Sequence, residues 1–208
     1  MNDDKKTINF WYFGVLFLLL AGLHVLHVQV IQNVSLFSRF FFLTNAVVQS
    51  LIEVLLLVVI VKFMEEKLHK GIKTVFVVLT FFLFLIHCAD FAMQRIMDMS
   101  IWFTFSWLLD ETLHNFIEML YASDVPMHLW MGLGVFVVAL PFIAYGIYHF
   151  SHRISKKSPL SFPYSTLFNC IFAMFLGVCV LNFCSLPHLG KEDYMLLRRT
   201  LPWKSSLF

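Results

Sequence analysis

The residues able to do chemistry in this chain are few, because 60% of it is hydrophobic and only 13% is charged. Asn45, Gln49 and Glu53 recur at every fourth position, so on a helix they form one polar stripe. His24 and His27, His87 and Asp90, and Asn182 fall within three other apolar runs. An ionisable side chain in hydrocarbon costs about 2.5–3.5 kcal/mol on insertion scales, so each needs a partner or a task. One use is interhelical hydrogen bonding that fixes packing; the other is a polar wall for a substrate headgroup. For any single histidine, a satisfied packing role is the simpler account.

Three chemistries fit such a set. Histidines on facing helices can ligate haem, but His24 and His27 lie three apart on one helix and need axial partners at matched depth. A metal site from His24, His27, His87 and Asp90 is chemically allowed, although scattered spacing specifies none. Recognition of a lipid headgroup needs only donors, carboxylates and an interfacial helix, and all three are present. The expected substrate-binding set is therefore Asn45, Gln49, Glu53, His24, His27, His87, Asp90, Asn115 and Glu118, with no catalytic residue and no metal ligand.

The elements that must position these residues follow from hydropathy. A spanning helix needs roughly 20 mostly apolar residues, and five stretches qualify: 10–30, 40–63, 74–93, 129–150 and 164–185. The expected fold is an all-α polytopic membrane protein of five transmembrane helices, with an amphipathic interfacial helix between the third and fourth. Residues 1–187 form the transmembrane domain, the interfacial helix covers about 100–122, and 188–208 form a short extracytoplasmic tail. The opening "MNDDKK" resembles the start of a secretory signal, but the apolar run after it is too long and lacks a small-x-small cleavage site. It reads as a retained helix. Cys88, Cys170, Cys179 and Cys184 lie inside or at the ends of spans and read as apolar packing residues. Pro141 alone interrupts a span, where a kink is expected. The net charge of +2 points to no nucleic-acid partner.

Charge placement gives an orientation. Lys5 and Lys6, then Lys62, Lys67, Lys70 and Lys73, then Arg153, Lys156 and Lys157 lie on one side, against Arg39 and Arg95 on the other. Positive residues collect on the cytoplasmic side, so the N-terminus is inside and the C-terminus outside. Lys191, Arg198, Arg199 and Lys204 of the tail run against the bias. At about 1.5 Å per residue, His24, His27, His87, Asp90 and Asn182 then reach the outer third of the membrane, level with Asn45 and Gln49. In "LDETLHNFIEML", Leu109, Leu113, Phe116, Ile117 and Leu120 make one face, and Asp110, Glu111, His114, Asn115 and Glu118 the other. With Trp102 and Trp107 before it, this helix is expected to lie flat on the outer leaflet.

At "HCADFAMQRIMDMS", "NFIEMLYASDVPMHLWMGLGVFVVALPF" and "LLRRTLPW" the chain resembles the membrane portion of the bacterial sulfatase-like (alkaline phosphatase superfamily) membrane proteins. These include lipoteichoic-acid synthases, phosphoglycerol transferases and phosphoethanolamine transferases. The resemblance implies a multi-pass protein of the bacterial cytoplasmic (inner) membrane, with Asn115 and Glu118 as the nearest equivalents of headgroup-contacting residues. It also implies a separate or downstream catalytic domain as partner, which would hold the metal, so no cofactor is expected in this chain. The expected function is thus a membrane anchor that presents a lipid substrate to a phospho- or sulfo-group transferase or hydrolase. The alternatives are a self-sufficient small membrane protein binding haem or quinone, and a structural subunit of a membrane complex.

Overall fold

The structure, a computed structural model, describes residues 8–31, 34–65, 70–97 and 127–200, with residues 101, 106, 109, 110, 112, 114, 115 and 118 between the last two stretches. Its helices are α1 (Phe10–Val30), α2 (Leu36–Glu65), α3 (Lys70–Leu79), α4 (Phe81–Met97), α5 (Met127–Lys157) and α6 (Tyr164–Ser185), followed by a 3₁₀ turn (Leu186–His188) and α7 (Lys191–Thr200). No strand occurs among the described residues. Among those residues, four stretches are long and apolar enough to cross a membrane: Phe10–Val30, Leu36–Met64, Thr74–Ala92 and Tyr164–Ser185.

The helix starts are set by side chains that take up free backbone N–H groups. Asn9 caps α1, its Oδ1 accepting from Tyr12 N at 3.3 Å. Ser35 does the same for α2: its Oγ accepts from Ser38 N at 3.0 Å, and its carbonyl accepts from Arg39 N at 2.9 Å. That cap starts the second helix at Leu36 rather than at 40, where the apolar run begins. The third apolar stretch passes through Thr80, whose N–H is shared between Phe76 O at 3.2 Å and Val77 O at 3.1 Å, a local tightening of the ladder. The Thr80 hydroxyl also donates to Val77 O. α5 runs unbroken past Pro141. Leu140 and Ala144, on either side of the proline, are buried in the core and hold the helix against α1 where one backbone bond is lost.

α1 and α2 form the central hairpin; α5 and α4 pack on α1, and α6 packs on α2. Contacts at known heights give the helix directions. His24 meets His87 and His27 meets Phe91, so α1 and α4 ascend together. The start of α1 lies at the end of α5, with Asn9 Nδ2 donating to Tyr148 O at 3.2 Å and Trp11 Nε1 to Ser158 O at 2.9 Å. The end of α2 lies at the start of α6, where Lys62 Nζ donates to Phe162 O and sits 4.4 Å over the Tyr164 ring. α1, α4 and α6 therefore run one way, and α2 and α5 the other.

The bundle interior has two apolar clusters. Leu16, Leu20, Val54, Val58 and Val61 belong to one, with Tyr12, Phe81 and Leu140; Val28, Phe41 and Phe42 form the other, against Leu181, Leu189 and Leu196. The outer faces of the helices stay apolar: Leu18, Phe142, Phe172 and Phe183 are more than 65% exposed, a surface suited to lipid rather than water.

At the end of the bundle opposite Lys62, α7 is tied down by Ser38 Oγ, which donates to Asp193 Oδ2 at 2.5 Å. Hydrogen bonds to charged groups contribute about 1.5–3 kcal/mol. Ser38→Ala is accordingly expected to raise amide hydrogen exchange across residues 191–200 by about tenfold, while exchange in α1 and the rest of α2 stays as in the parent chain. Deuterium uptake measured by mass spectrometry checks this.

Candidate polar site within the bundle

Between the two apolar clusters lies a layer of polar side chains. On one face of α1 the order is Leu20, His24, Val28, that is, first cluster, polar layer, second cluster. On α2 it runs from Phe41 and Phe42 through Asn45, Gln49 and Glu53 to Val54. His24, Asn45, Gln49, His87 and Asp90 are all buried, and the Glu53 side chain is 14% exposed.

Helix direction explains how these groups meet. A helical side chain leans toward the N-terminus of its own helix. His24 and His87 stand on helices running one way and Glu53 on a helix running the other, so the histidines and the carboxylate lean toward one another. His87 Nε2 and Glu53 Oε2 are 3.0 Å apart, bridging α4 to α2. The His24 ring meets the His87 ring edge to face, with centroids 5.3 Å apart at 84°. Nearer the Ser38 end, Asn182 Nδ2 donates to Asn45 Oδ1 at 2.9 Å and to Val178 O at 2.8 Å, bridging α6 to α2, while Asn45 Nδ2 donates to Phe41 O at 3.0 Å.

Other groups of the expected set have separate surroundings. His27 packs on Phe91 with centroids 4.7 Å apart. Asp90 Oδ1 accepts from Ile101 N at 2.9 Å and so ties α4 to the segment after it. Asn115 and Glu118 are exposed; Asn115 N donates to Thr112 Oγ1 at 3.3 Å, and Glu118 Oε1 lies 3.1 Å from His114 Nε2. Leu109, Asp110 and His114 of the expected interfacial helix are likewise exposed, while Trp102, Trp107, Glu111, Leu113, Phe116, Ile117 and Leu120 lie outside the described residues.

The layer carries unmet hydrogen-bonding capacity. His24 Nδ1, His24 Nε2 and Gln49 Oε1 are buried and have no hydrogen-bond partner among the described residues. At the Ser38 end Arg39 Nη2 donates to Ile31 O at 3.2 Å, and its buried Nε has no partner among the described residues. Among the described residues no three His, Cys, Asp or Glu side chains are grouped to hold a metal ion. Two imidazoles in edge-to-face contact do not flank a porphyrin, so His24 and His87 as placed do not form a haem ligand pair. The four cysteines are free thiols.

Sequence reasoning did not foresee the Ser38–Asp193 clasp or the clasp at the other end involving Asn9, Trp11 and Lys62. The caps were legible, as Ser35 three residues before Ser38 and as Glu192 and Asp193 following Gly190. The partners in the two clasps are a hundred residues or more away, and no local pattern names them.

Double-mutant cycles test the two bridges. The cycle of Asn45→Leu with Asn182→Leu is expected to give a coupling of about 0.6 kcal/mol, the usual size for a polar pair between membrane helices. That of Glu53→Leu with His87→Leu is expected to be larger, about 1–2 kcal/mol, because removing one partner strands an ionisable group in the interior. Reversible unfolding in mixed micelles measures both.

Compared with protein-family models, with curated proteins and with solved structures, the chain gives no match.

Proposed function

We propose that the chain crosses the membrane five times, with α5 as the remaining crossing, and that its polar layer holds the head of a lipid. The observation that carries this reading is the layer itself: ionisable and amide side chains from α1, α2, α4 and α6 collected between two apolar clusters, with buried hydrogen-bonding atoms left over. A layer whose only task is to weld helices has no use for those spare atoms, since each unmet group costs stability. The alternating helix directions support the count of five, and the basic residues Lys62, Arg153, Lys156 and Lys157 near one end support placing that end in the cytoplasm. In this reading the Ser38 end, α7 and the segment around Asp110 face the exterior.

The chain then acts as the membrane module of a sulfatase-like transferase or hydrolase, with the chemistry done by a domain outside it. Lipid is drawn from the surrounding leaflet along the apolar outer faces, and the Glu53–His87 pair and its neighbours orient the head. Arg39, at the Ser38 end, stands toward the exterior, where the phosphate of a lipid held by the layer would meet a cation.

Two measurements bear on this reading. Membrane-impermeant maleimide applied to whole cells is expected to label Asp110→Cys and to spare Lys157→Cys; the reverse pattern inverts the site and rejects the proposal. Native mass spectrometry of the chain equilibrated with a total lipid extract is expected to show a lipid retained under activation that strips annular lipid. Glu53→Leu is expected to reduce that retention about tenfold, and equal retention in the variant would reject the layer as the binding site.

A further inference from the structure

The unmet atoms of the polar layer specify what kind of group they take. A neutral imidazole has one N–H donor and one ring-nitrogen acceptor, and an amide oxygen only accepts. His24 and Gln49, on the two helices of the central hairpin, thus offer one buried donor and two kinds of buried acceptor, none satisfied among the described residues. A hydroxyl is their complement: its oxygen accepts from the histidine N–H, and its proton goes to the amide oxygen.

Charge narrows the class further. Glu53 and His87 lie 3.0 Å apart, and their charges cancel when the proton sits on the histidine and vanish when it sits on the acid. Asp90, one turn beyond His87, accepts from the Ile101 N–H, and His27 lies against Phe91. A phosphate placed beside His24 would add a buried anion next to the carboxylates of Glu53 and Asp90, which hydrocarbon penalises heavily, and an ammonium, which only donates, would leave the histidine N–H unmet. We propose that the His24–Gln49 side of the layer binds the free hydroxyl of an uncharged amphiphile, whether an aliphatic alcohol such as a diacylglycerol or the phenol of an isoprenoid quinol. This deepens the lipid-binding reading and rests on it, and it excludes from this spot the charged part of a phospholipid head.

The site also makes an unusual demand on stability. Replacing a buried, unpartnered polar side chain by an apolar one of similar size removes an unmet desolvation cost. His24→Leu and Gln49→Leu are thus expected to raise the melting temperature of the ligand-free chain while weakening binding, the opposite of what loss of a structural hydrogen bond does.

The test uses the full chain in phosphatidylcholine nanodiscs, with dioleoylglycerol, decylubiquinol, dioleoylphosphatidylethanolamine and dioleoylphosphatidic acid as separate probes, read by native mass spectrometry and thermal unfolding. One of the two hydroxyl probes is expected to bind at least tenfold more tightly than either charged lipid, and which one it is identifies the source. His24→Leu and Gln49→Leu are each expected to weaken that binding about tenfold with an unchanged or raised melting temperature. Binding unaffected by both substitutions, charged lipids binding as tightly as the hydroxyl probes, or a lowered melting temperature in both variants would overturn the inference. If a lipid from total extract is retained while neither hydroxyl probe binds, the hydroxyl assignment fails and the lipid reading stands; if no lipid is retained at all, both fall.

Discussion

Hydrocarbon offers no water, so a polar group inside the bundle has only the bundle to bond with. The arrangement of this chain follows from that constraint. The contact between Glu53 and His87 joins α2 to α4 at a single rotational setting: turning either helix by one residue, about 100°, carries the side chain off the interface. The Asn45–Asn182 contact does the same between α2 and α6. Apolar packing alone tolerates sliding and rotation between helices of similar surface. Two polar bridges from one helix to two different neighbours remove that freedom.

The two ends of the bundle are closed by different means. At the Lys62 end, backbone carbonyls of the 158–163 connection accept from Trp11 and Lys62, so the start of α1, the end of α2 and the start of α6 are drawn together. At the other end a serine of α2 holds an aspartate of α7, and Leu196 and Leu189 cover Val28, Phe41 and Phe42. Each closure satisfies groups that would otherwise end unpaired near the hydrocarbon boundary. Between them the interior is apolar, polar and apolar in turn. That sequence isolates the middle layer from both surfaces and strengthens every electrostatic interaction within it.

The stripe of Asn45, Gln49 and Glu53 shows how far a linear pattern carries. Four residues advance a helix by about 400°, so positions at that spacing drift by about 40° at each step. Over eight residues the drift is large enough for Asn45 to face α6 while Glu53 faces α4. Periodicity placed the three on one side of one helix, and it contains nothing about which neighbour lies there. His24 and His27, three residues apart, both face α4 but at successive heights, one meeting His87 and the other Phe91.

By itself the sequence determined the all-helical class and the presence of His24, Glu53, His87 and the two asparagines among hydrophobic neighbours; of the five apolar stretches read from it, four coincide with helices long and apolar enough to cross a membrane among the described residues. These are properties of composition and local spacing, and backbone hydrogen bonding within each helix makes them largely independent of the rest of the chain. Only the tertiary structure decided that Glu53 pairs with His87 and Asn45 with Asn182, that α7 folds back onto Ser38, and that His24 and Gln49 keep buried atoms unbonded among the described residues. Those outcomes depend on the rotation and height of helices far apart in the chain, which are set by side-chain packing across interfaces and leave no trace in local periodicity.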